Sequence, residues 1–251
     1  MKTIIHLALN PSAWGILPQA VPGASRSSTN PAKTMKTLIT LTLLLSFIPF
    51  APSASAKEGA VVCGNLIYAG NRTSRCFSDE FLTTVQQRTS IATERRFRAV
   101  RLADEELFTI PFVIMTGEGD FNLTTKEREN LKKYLENGGF LLASASCSNR
   151  PWGQAFEREI RALFGNDALH DIPLDHELFR TIFTIENMQL TRAAGETPLR
   201  GMTLNGKIVV VYSSEGLNDT ANAEGCCCCG GNEIRNAMEI NANILAYALL
   251  H

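Results

Sequence analysis

Several features that would have decided the class of this 251-residue chain are missing from it. Positive charge has no surplus: 24 Lys and Arg stand against 25 Asp and Glu, a formal net charge of −1. That balance excludes the basic footprint of a nucleic-acid binder. The longest apolar run, Leu38 to Phe50, is about thirteen residues, short of the roughly 20 that cross a bilayer. No internal repeat or low-complexity linker is present, so a solenoid or a disordered spacer is not expected. Histidine is scarce, and beyond the apolar run only His170, His176 and His251 are available as base or ligand. Four adjacent cysteines are not the spaced C-x₂-C pattern of zinc sites. The turn Gly117-Glu118-Gly119-Asp120 has no lysine and carries two carboxylates, which argues against a phosphate cradle.

From Met35 the chain reads MKTLITLTLLLSFIPFAPSASAK. Lys36 precedes the apolar stretch, and the small residues Ala54-Ser55-Ala56 follow it, which together make a secretory signal over 35–56 with cleavage after Ala56. Residues 1–34 precede a good start methionine, lack periodicity, and read as a mis-assigned start or a disordered lead. An uncleaved anchor is the alternative. Residues 57–251 are then an exported single domain, periplasmic or extracellular, with no membrane span after cleavage and long enough for a sizeable core.

Within it, apolar runs alternate with amphipathic stretches. VVCGNLIY (61–68), FRAVRL (97–102), PFVIMTG (111–117), GGFLLASAS (138–146) and KIVVVYSSE (207–215) read as strands. Residues 79–90, 125–137, 153–164 and 232–251 read as helices, the second opened by a Thr124/Glu127 capping box. Residues 165–206 are irregular and end in an Asn205-Gly206 hairpin turn. This alternation predicts an α/β fold: a three-layer, flavodoxin-like, mostly parallel sheet of about five strands. Ligands of such folds bind beyond the carboxyl ends of the strands. Asn71, Asn122 and Asn218 each open an N-x-T triplet, a spacing short enough to arise by chance.

Seven cysteines are present, and four are consecutive, Cys226, Cys227, Cys228 and Cys229. Cys63 lies inside a strand, where a small buried thiol is ordinary. Cys76, Cys147 and the tetrad fall in loops after predicted strands, so a parallel sheet gathers them on one rim beside Glu118, Asp120 and Glu215. Gly230, Gly231 and Asn232 lead into the last predicted helix, whose positive end favours thiolate. One reading is therefore a soft-metal or thiol-redox site using Cys76, Cys147 and Cys226–Cys229. Thiolates select copper or zinc, and an iron–sulfur cluster is disfavoured because no twin-arginine signal precedes the apolar stretch. The second reading is disulfides, the default in an oxidising compartment, in an interaction module with a protein partner in the envelope. The third is a hydrolase with Cys147 as nucleophile, placed between strand and helix as in a nucleophile elbow. His176 would be its base, oriented by Asp175 or Glu215. Against it, Asp175-His176 also reads as a polar cap on a short helix starting at Glu177.

The stretches "GNLIYAGNRTSRCFSDEFL", "RLADEELFTIPFVIMTGEGDFNLTTKERENLKKYLENGGFLLASASC", "FEREIRALFG", "IPLDHELFRTIF" and "KIVVVYSSEGLNDTANAEGCCCCGGNEIRNAMEINANILAYAL" resemble an exported bacterial family catalogued as domain of unknown function 4159. The resemblance covers nearly all of 60–251 and implies a fold like that of the class I glutamine amidotransferases. It implies no activity. The amidotransferase pattern G-x-C-x-G is absent around Cys147, and no H-x-E follows the last strand, which argues against glutamine hydrolysis.

Overall fold

The computed structural model describes residues 59–223, 226 and 231–251. The stretch 35–56 expected to be a secretory signal, residues 1–34 before it, and Cys227, Cys228 and Cys229 lie outside the described residues.

Five strands run parallel: β1 (Cys63–Ile67), β2 (Arg98–Arg101), β3 (Phe112–Gly117), β4 (Phe140–Ala145) and β7 (Lys207–Ser213). Two more, β5 (His170–Asp171) and β6 (Arg200–Leu204), extend the sheet antiparallel to the order β2-β1-β3-β4-β7-β6-β5. The predicted Asn205-Gly206 turn is the hinge of that extension. Both residues have positive φ, 51° and 80°, as a two-residue hairpin with the strands' own twist requires. The region expected to be irregular therefore supplies two strands. Its antiparallel pairing needs only a short turn, and the RGMTL run is too brief for its period to declare itself.

β3 and β4 are buried at every position because helices cover both faces. Ile114, Leu142 and Val211 pack toward α1 (Glu80–Arg88) and α4 (Ala237–Leu250), against Phe81, Leu82, Ile240 and Ile244. The intervening residues Val113, Met115, Leu141, Ala143 and Tyr212 pack toward α2 (Thr125–Glu136) and α3 (Arg150–Phe164), against Leu131, Tyr134, Phe156 and Ile160. Burial of each large side chain contributes about 1.5–3 kcal/mol, and these two clusters are the main cohesion of the layers.

Helix boundaries follow local chemistry. The Thr124 hydroxyl accepts from the Glu127 amide while the Glu127 carboxylate accepts from the Thr124 amide, so the expected capping box is formed. Helix α3 starts three residues earlier than its apolar pattern implies: Asn149 caps it by accepting from the Trp152 amide, and Pro151 sits in its first turn. Helices α2 and α3 are also joined by a bidentate pair, Arg128 to the buried Glu159 carboxylate at 2.7 and 2.9 Å.

Candidate functional site

The register of the parallel strands changes chemistry at the last rung that β3, β4 and β7 share. Ile114, Leu142 and Val211 stand side by side, as do Met115, Ala143 and Tyr212, but the next row is Thr116, Ser144 and Ser213. All three hydroxyl residues are fully buried, so each needs a hydrogen-bond partner. For the first two that partner is Asn218, in the loop after β7. Its amide nitrogen donates to the Cys76 carbonyl (2.6 Å), Thr116 Oγ1 (3.0 Å) and Ser146 Oγ (3.1 Å), and its amide oxygen accepts from Ser144 Oγ (2.7 Å). The Asn218 carbonyl accepts from the Ser78 amide at 2.8 Å. One side chain thus ties together the loops after β1 and β7 and the ends of β3 and β4.

Beyond β4 the chain turns sharply. Cys147 and Ser148 both adopt left-handed backbone, with φ of 51° and 57°, which side-chain-bearing residues rarely occupy. The surroundings hold them there. Ser148 Oγ donates to the Asn232 carbonyl (2.9 Å) and accepts from the Asn232 amide (2.8 Å). Gly231 lies directly against the Cys147 carbonyl, leaving no space for a Cβ, so glycine is required by close approach. Asn149 then accepts from the Gly119 amide at 2.9 Å, linking this elbow to the loop after β3.

The cysteines complete the edge. Cys76 and Cys226 form a disulfide with Cα atoms 5.1 Å apart, joining the loops after β1 and β7 across 150 residues of sequence. Cys147 is disulfide-bonded as well. Cys63, at the start of β1, is a free buried thiol, and burial pushes its pKa up to about 12.

With the strand–TGEG–helix–GGFLL succession now seen as one continuous layered unit, the family can be stated. The chain belongs to the family described as Domain of unknown function (DUF4159), matched over residues 66–249. No curated protein matches it.

The expected residues of this DUF4159 domain are therefore brought together in part. Loops carrying Cys76, Glu118, Asp120, Cys147, Glu215 and Cys226 all leave the carboxyl edge, as parallel strands require. The sulfurs of Cys76, Cys147 and Cys226 are in disulfides rather than thiolates, and among the described residues no group of three His, Cys, Asp or Glu side chains is placed to hold a metal. Asp120 pairs with Arg158 at 3.0 Å, and the Glu118 carbonyl accepts from Arg72 at 3.2 Å.

The helix-dipole argument for the tetrad does not survive. Helix α4 begins at Ala237; before it Glu233 bridges to Gly216 and Ile234 to Leu190, and Arg235-Asn236 form a turn into the helix. Pairing with those segments satisfies the backbone that a longer helix would have used. Glu233 there accepts from the amide and hydroxyl of Thr220, and burial raises its pKa above the ordinary carboxylate value.

Cys147 and His176 are not neighbours. His176 Nδ1 accepts from the Leu178 amide at 3.1 Å, capping the short helix Glu177–Arg180, and its ring packs on Tyr247. The Tyr247 hydroxyl in turn accepts from the Ile208 amide, at the start of β7. Cys147 lies past Ser144, which is level with Ser213 at the far end of β7, so the two are separated by roughly 17 Å of strand. The cap reading of Asp175-His176 is the one observed, and the Asp175 carbonyl accepts from Arg180.

Sequence reasoning missed Asn218, Ser144 and Ser146. Their only signal is polarity at the ends of otherwise apolar strands, in SAS and SSEGLN.

Proposed function

We propose that this domain is an exported, non-hydrolytic binding module whose cysteines clamp the loops of its ligand-facing edge. The supporting observation is the Cys76–Cys226 disulfide across two loops that Asn218 already joins by hydrogen bonds. Covalent and polar ties at the same edge suit a rigid recognition surface, since fixing loops before binding lowers the entropy cost of association. A bonded Cys147 has no thiolate with which to attack a carbonyl, and His176 stands at the other end of the sheet, which together disfavour the hydrolase. The secretory signal expected over 35–56 and the disulfides both support placing it in an oxidising compartment.

Native mass spectrometry of the chain recovered from the exported fraction, with thiol alkylation before and after reduction, tests this reading. The expected result is a metal-free mass, with Cys76, Cys147 and Cys226 alkylated only after reduction. A metal adduct lost to a chelator, with those three cysteines alkylated once it leaves, would overturn it in favour of a thiolate metal site.

A further inference from the structure

Beside the elbow, between the end of β7 and the first turns of α3, is a cavity of about 590 Å³, within the range of small-molecule sites. Its wall includes Ser148, Arg150, Gln154, Tyr212, Ser214 and Glu215. Charge is disposed unevenly along it. Glu157, also in the wall, is neutralised by Arg161 at 2.6 Å and Arg200 at 3.0 Å. Two side chains of the wall are left without an ion partner among the described residues. Arg150 is exposed and makes no ion pair among the described residues. Glu215 has a carboxylate oxygen, Oε2, that is buried and accepts no hydrogen bond among the described residues. A half-buried carboxylate without a cation is costly, and since Oε2 is closed off, a ligand cation in the cavity would offset that cost at Oε1. The guanidinium of Arg150 offers paired donors suited to a carboxylate.

We propose that this cavity binds a small zwitterion of the α-amino acid or short-peptide class, with its ammonium at Glu215 and its carboxylate at Arg150. The inference rests on the binding-module reading for the edge it occupies, but on none of the cysteines. A lone cation leaves Arg150 without a partner, and a lone anion meets Glu215, so neither satisfies both ends. The volume admits either a free amino acid or a peptide of two or three small residues.

Calorimetric titration of the oxidised full chain decides it, with four probes: alanine, dialanine, N-acetyl-dialanine and dialanine amide. Binding of alanine or dialanine is expected, the preferred one giving the ligand's length, with each blocked dipeptide weaker by at least about tenfold. Glu215→Gln should abolish discrimination against the acetylated probe alone, and Arg150→Ala discrimination against the amide alone. Equal binding of blocked and free dipeptides, or no binding of alanine and dialanine at millimolar concentration, overturns the proposal. Thiol counting on the same sample separates the two readings. Disulfides without probe binding would sink only the zwitterion site, whereas probe binding with free Cys76, Cys147 and Cys226 would sink only the clamp.

Discussion

The two ends of one sheet are held by different means. At the carboxyl edge the last row shared by β3, β4 and β7 is Thr116, Ser144 and Ser213, and order comes from a single asparagine, two left-handed residues after β4 and disulfide-bonded cysteines. At the amino edge order comes from packing. Tyr134 fills the space over Gly139, with its hydroxyl within bonding distance of the Ile110 and Phe140 carbonyls. His176 and His251 lie on the ring of Tyr247, and Cys63 is a free thiol inside the core. Directional, partly covalent ties accumulate where loops must be placed exactly relative to one another. Where strands merely begin, apolar contact suffices, and it tolerates small displacements.

The comparison breaks first at the disulfide. Cys76→Ala with Cys226→Ala should cost about 4 kcal/mol in equilibrium urea unfolding, because the bond closes a very long loop in the unfolded chain. A loss below about 1 kcal/mol would mean that the loops are ordered without it. Next in size is Asn218→Ala, expected to cost about 3 kcal/mol, since it strands several buried polar groups at once. The matched change at the other edge is Tyr134→Phe, which removes one hydroxyl and keeps the ring. About 1 kcal/mol is expected, and a loss equal to that of Asn218→Ala would erase the distinction between the edges.

An effect of similar size to that of Tyr134→Phe is alkaline. Folded Cys63 keeps its proton up to about 12, whereas the unfolded thiol ionises near the ordinary value of 9.0. The unfolded chain therefore releases a proton first, and stability falls as pH rises between those two values. Between pH 8 and pH 10 the protein should lose about 1 kcal/mol more than its Cys63→Ala variant. Equal losses would show that the thiol is not shielded.

Much of the layered fold was legible in local patterns. The apolar runs PFVIMT and GFLLAS announce strands covered on both faces, and Thr124 with Glu127 announces the start of α2. The start of α3 was misplaced because its first turn is set by Asn149 and Pro151, which carry no apolar period. The start of α4 was misplaced because tertiary pairing of Glu233 and Ile234 outcompetes helix. The candidate site was legible only as a location. Parallel strands put Cys76, Cys147, Glu215 and Cys226 on one edge, but nothing local links Asn218 to Ser144 or separates Cys147 from His176.

By itself, the sequence determined the succession of the five parallel strands and the four helices, the cap that opens α2, the hairpin at Asn205-Gly206 and the edge on which chemistry can collect. Each of these depends on neighbours within a few residues along the chain. Only the tertiary structure decided that Cys76 meets Cys226, that Asn218 stitches four segments, that His176 serves as a cap, and that Arg150 and Glu215 share one cavity. Those outcomes depend on which distant backbones approach within bonding distance, and that is fixed by the packing of the whole sheet between its helices.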